Sequence, residues 1–114
     1  MSCAADAGLG LGAELLEIYR QSYGVGAAEV SVEISDRFVV FCFDGLELLP
    51  NEQILIEAGE VEAVREQRDR FQRAIEAPSR AAVEHATGRR VTSFAGATGL
   101  DPPHLLAVFR LAPE

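Results

Sequence analysis

Few residues of this chain have types and spacings that could do chemistry, and the most out of place is Arg68. Val61, Val64, Arg68, Phe71 and Ile75 follow a 3-4-3-4 spacing, which predicts one helical stripe facing a core with a guanidinium in its middle. The surrounding charges have an ordinary role. Glu62 with Arg65, Glu66 with Arg70, Asp69 with Arg73 and Glu76 with Arg80 are acid-first pairs at i,i+3 or i,i+4, as on a solvated helix face. Arg68 has no acid three or four residues away, and an unpaired buried charge is very costly, so its counter-charge must come from another element. Glu52, Asp44 and Asp101 are the candidate acids. A structural ion pair is the first reading, a guanidinium reaching out to water the second, and a bound ligand or partner anion the third. Tyr23 and Gly24 open a Tyr-Gly-Val-Gly turn in which the glycine stops a helix and the tyrosine packs or binds. The candidate ligand- or partner-binding set is therefore Tyr23, Gly24, Glu52 and Arg68.

No other constellation competes. His85 and His104 lack a Cys or His at ligand spacing, so no metal site is expected. No Gly-x-Ser-x-Gly elbow is present, and joining Ser93 to a histidine and Asp101 would be arbitrary. Gly8, Gly10 and Gly12 precede a helix but follow no strand, so they read as a flexible lead rather than a phosphate cradle. Cys42 sits in an apolar strand, where burial leaves a thiol inert in a core. No catalytic residue and no cofactor is expected.

Composition narrows the class of function. The 114 residues suit one domain, and 48% hydrophobic with 25% charged residues describes an ordinary globular chain. The net charge of −8 repels phosphate backbones, which argues against nucleic-acid partners. The charge is lopsided: residues 1–60 carry eleven acids and two arginines, while residues 61–114 carry seven acids and eight arginines. Cys3 and Cys42 make no disulfide framework, which suits a reduced cytoplasm. The opening MSCAADAGLGLGAELLE has neither a basic n-region nor an unbroken apolar h-region, so no secretory signal is expected there. The longest strongly apolar run, Phe38 to Phe43, is far short of the roughly 20 residues of a membrane helix.

These residues need elements to position them. Residues 1–11 read as a lead, and residues 12–114 as the domain. Leu11, Leu15, Ile18 and Ser22 recur at helical spacing, predicting a helix over 12–23. Val30, Val32 and Ile34 alternate with polar residues, predicting a strand with one wet face. Residues 35–37 turn the chain into FVVFCF, which is apolar at every position and predicts a strand covered on both faces. Pro50 begins a helix, Gly59 breaks it, and the helical pattern from Glu60 to Ala86 divides near Glu76 ahead of Pro78. Val91–Ala95, a turn over Gly96–His104, and Leu105–Leu111 predict a second hairpin. The order αββααββ implies an α+β domain with a four-stranded antiparallel or mixed sheet, its strand order open.

The run YGVGAAEVSVEI, the apolar strand after it, Gly45, the Leu49-to-Glu52 helix start, Gly59, Val64, Arg68, Phe71, and VEHATGRRV with Phe94 together resemble the MpsC-like family. The resemblance spans about residues 12 to 111. It implies a small soluble α+β protein accessory to a membrane ion or bicarbonate translocation system, and it brings no catalytic residues. The chain departs from the family pattern at Leu49, where a threonine cap is more common, and at Val25 and Ala27, where a lysine and a proline are.

The function expected is that of a non-catalytic accessory or regulatory protein. It would be cytoplasmic and attached to the membrane only through a transporter subunit, and either homodimeric through an uncovered sheet face or with helix one covering that face. The alternatives are a small-anion or metabolite binder using the Arg68 helix, and an enzyme with an unrecognised site.

Overall fold

The computed structural model of the chain describes residues 3–113. The side chains of residues 3–7 and of Leu9 lie outside that description, and with them the expectation for the Cys3 thiol. Helix α1 (Cys3–Tyr23) leads into a hairpin of β1 (Glu29–Ile34) and β2 (Phe38–Asp44). Three helices follow, α2 (Pro50–Glu57), α3 (Val61–Ala74) and α4 (Glu76–Thr87), and a second hairpin, β3 (Val91–Leu100) and β4 (Pro103–Leu111), closes the chain. Every strand pairing is antiparallel, in the order β1-β2-β4-β3, so the two hairpins join through their second strands.

The strands alternate as a half-buried sheet requires. Val39, Phe41 and Phe43 of β2 and Leu105, Ala107, Phe109 and Leu111 of β4 all point to one face and are buried there. Leu11, Leu15 and Tyr19 of α1 and Ala82 and Val83 of α4 join them in a single core. Phe41 stacks on Phe109, and Phe94 of β3 leans on the same ring at 4.8 Å between centroids. The gap remaining between these helices and the sheet is about 10 Å³, one water at most and too small for a metabolite.

The structure corrects several expectations. The helix predicted over 12–23 begins at Cys3, so the Gly-x-Gly-x-Gly run expected in a lead over 1–11 is helical. Gly12 lies where α1 crosses β1, and a Cβ there would stand 2.9 Å from Val30 Cγ1, so the missing side chain admits the close crossing. The turn predicted over Gly96–His104 is instead mostly strand, with only Asp101 and Pro102 at its tip. Its glycines make room for neighbours: a Cβ on Gly96 would strike Gln72 Oε1, and one on Gly99 would strike the His104 ring. The strand FVVFCF is covered by the chain's own helices on one face only. Val40 and Cys42 are half-buried, and Phe38 is exposed. Cys42 is thus on the open face and not in the core. Breaks at Gly59 (φ +83°) and between Ala74 and Glu76 fall where Gly59 and Pro78 predicted them.

Candidate functional site

Arg68 and Glu52 meet. Arg68 sits on the inner face of α3 with Val64 one turn before it and Gln72 one turn after, all three buried. Glu52 lies in the first turn of α2, where its Oε1 accepts the Leu49 backbone N–H at 2.8 Å. That bond serves a helix start whose Leu49 has no side-chain oxygen to cap it. The two charged side chains are 0% and 1% exposed.

The ion pair is bidentate. Arg68 donates from Nε to Glu52 Oε2 at 2.8 Å and from Nη2 to Oε1 at 2.6 Å. Nη2 also donates to the Glu47 backbone carbonyl at 2.9 Å, and Nη1 reaches the Tyr19 hydroxyl at 3.4 Å. Tyr23 donates its hydroxyl proton to Glu52 Oε2 at 2.6 Å, and its ring lies beneath the guanidinium at 5.0 Å. Tyr19, Tyr23 and Phe71 wall the pair, with Tyr23 and Phe71 centroids 4.7 Å apart. The centre ties the end of α1, the β2–α2 connection, α2 and α3 to one another.

The electrostatics follow from these bonds. Burial alone would raise the Glu52 carboxyl, but hydrogen bonds from Arg68, Tyr23 and the Leu49 N–H outweigh it and hold the group below the usual carboxylate range. Burial alone would lower Arg68, and the bonds to Glu52 outweigh it, so the guanidinium stays charged. Burial, then the bond to Glu52, pushes the Tyr23 hydroxyl up, so it remains a donor at neutral pH. Four groups surround the guanidinium, and it points into the protein. Tyr23→Phe should cost about 1.5–2 kcal/mol, because a charged oxygen loses a donor. Chemical denaturation read by circular dichroism would check this, and an unchanged midpoint would contradict it.

Of the four residues singled out by sequence, Tyr23, Glu52 and Arg68 come together. Gly24 ends α1 at φ +87°, with its N–H on the Arg20 carbonyl, and takes no part in the ion pair. The other two acids proposed for Arg68 lie elsewhere, Asp44 at the end of β2 and Asp101 at the β3–β4 tip. Sequence reasoning missed Gln72, whose Nε2 donates to Thr98 Oγ1 at 3.0 Å beneath β3. Its position four residues beyond Arg68, on the same buried row, was the available signal. Tyr19 was missed as an Arg68 neighbour, although it stands one turn before Tyr23.

The VEHATGRRV segment forms a second polar knot. Glu84 Oε2 accepts the Val91 N–H at 2.8 Å where β3 begins, and Gly88 ends α4 at φ +69°. Arg89 then donates to the carbonyls of Asp36 and Ala112, tying this corner to the β1–β2 turn. The widest groove described, between α1 and the edge strand β1, is lined by Gly8, Gly12, Ala13, Leu16, Val30, Ser31 and Val32, with no titratable side chain among them.

A two-layer α+β domain pinned by a buried Arg–Glu pair is thus the class of protein that fold and site define. The sequence model of the MpsC family, described as the Na+-translocating membrane potential-generating system, matches residues 11–112, and the chain belongs to that family. Among the residues that carried the resemblance, Tyr23, Arg68, Phe71, Glu84 and Gly88 take part in the two knots, whereas Gly24 and Gly59 end helices. Comparison with curated proteins and with solved structures gave no match. No helix among the described residues is long and apolar enough to cross a membrane.

Proposed function

We propose that the protein is a non-catalytic accessory component of a Na+-translocating, membrane-potential-generating system, cytoplasmic and held at the membrane by a protein partner. The observation that carries this reading is the closure of the Arg68 centre. The side chains best suited to binding or catalysis are bonded to one another, 0% and 1% exposed, and present no reactive group to a cleft. Among the described residues, two of the three exposed large apolar side chains stand on the outer face of the sheet, Phe38 at 41% and Leu106 at 47%, and the third, Ile54, stands on α2. Such a surface suits association with protein better than turnover of a small substrate. Family membership supplies the context for that association.

The test is affinity capture of the tagged chain from its native cells under mild detergent extraction. Subunits of an ion-translocating membrane complex should co-purify in fixed proportion. Their absence, with the chain recovered folded, would overturn the reading.

A further inference from the structure

The outer face of the sheet is ordered by register into rows across β1, β2, β4 and β3. One row reads Glu33, Val40, Val108, Ala95, and the next Ser31, Cys42, Leu106, Ala97. Below them lie Glu29, Asp44, His104 and Gly99, and above them Phe38 stands beside Arg110. The middle is apolar. Within these rows the β1–β2 half carries the acids Glu29, Glu33 and Asp44, whereas the β4–β3 half carries Arg110 and His104, with Asp101 beyond the rows at the β3–β4 tip. The charge asymmetry of the sequence is therefore present across a single surface.

We propose that this face is closed by a second copy of the chain, related by a twofold axis parallel to the strands and midway between β2 and β4. The proposal gives a self-partner to the association reading above. A twofold of this kind lays the acidic half of each copy over the basic half of the other, an isologous and self-complementary contact. Val40 faces the partner's Val108, and Cys42 faces the partner's Leu106. Asp44 meets the partner's His104, and Arg110 meets the ring of the partner's Phe38. The aligned packing of two twisted sheets about 10 Å apart accommodates this arrangement. The other in-plane twofold, across the strands, would set Arg110 against the partner's His104 and Phe38 against the partner's Asp44, so the charge pattern selects the first axis. Four strands at about 4.8 Å spacing and four rows give a flat footprint of roughly 400 Å² per copy, below the roughly 800 Å² of a standard interface. A contact of that size makes a weak, concentration-dependent dimer.

Sedimentation equilibrium of the intact chain from about 1 to 500 μM, a range that covers micromolar and weaker association, provides the test. Wild type should pass from monomer to dimer. Leu106→Glu, and Val108→Glu as a second variant, should stay monomeric while keeping wild-type circular dichroism at low concentration. Asp44→Arg should weaken the dimer at least about tenfold, because it removes the carboxylate that faces the partner's His104. A wild type that is monomeric throughout, or a Leu106→Glu dimer of unchanged strength, would overturn the proposal. Tighter association of Asp44→Arg would overturn the axis, because the alternative twofold sets position 44 against an aromatic ring. A monomeric wild type would still leave the capture of transporter subunits free to succeed, so the two readings fail separately.

Discussion

Replacing Glu52 with alanine will remove about 3–5 kcal/mol of folding stability, because it leaves the Arg68 guanidinium buried without its counter-charge. A domain of this size has about 5–15 kcal/mol in total, so the variant will lose a large share of its stability. The double variant Glu52→Leu with Arg68→Met will be much closer to wild type than Glu52→Ala, since removing both charges also removes the desolvation cost of each. Denaturant titrations of wild type, single and double variants would measure this, and a double variant no more stable than Glu52→Ala would contradict it. The pair also has a pH signature. The Glu52 carboxyl is held below its ordinary value of 4.5 in the folded protein. A group depressed on folding contributes stability that is complete above its unfolded value and is lost as pH falls through the folded one. The stability difference between wild type and Glu52→Gln will therefore be constant near neutrality and shrink in acid below about pH 4.5.

The second large effect separates the two faces of β4. Phe109→Ala will cost about 3–5 kcal/mol, because the ring is 0% exposed and packs on both Phe41 and Phe94. Leu106→Ala, three residues earlier and 47% exposed, will change the stability of the isolated chain by about 0.5 kcal/mol or less. Thermal denaturation at low protein concentration would check both, and comparable losses at the two positions would mean that something within the chain covers both faces.

Much of this architecture was legible in the sequence, and the reasons differ by element. Val30, Val32 and Ile34 alternate cleanly because the sheet has one wet face, and β1 formed where that pattern placed it. Pro50 and Gly59 set the limits of α2 through backbone constraints independent of tertiary context. The lone guanidinium in an apolar row identified Arg68 as needing an acid from another element, and Glu52 was among three candidates. Choosing between them needed the path from β2 into α2, which is a property of topology. Gly12 and Gly96 misled local reading because each serves a contact distant in sequence, with β1 and Gln72, and Gly99 because it makes room for the cross-strand ring of His104. Local reading treats glycine as punctuation, whereas here it marks close approach. The run FVVFCF suggested cover on both faces, but composition does not record whether that cover comes from the same chain.

The claim that Arg68 is a structural pin and not an anion receptor is tested most directly by its Nε–H proton resonance in nitrogen-15 NMR. With that proton donated to Glu52 at 2.8 Å inside a closed centre, the resonance will be sharp and slowly exchanging at neutral pH. Phosphate, sulfate or bicarbonate at about 50 mM, a level that would saturate a millimolar site, will leave it unmoved. A rapidly exchanging proton, or a shift that saturates with added anion, would show a guanidinium open to ligands and contradict the account.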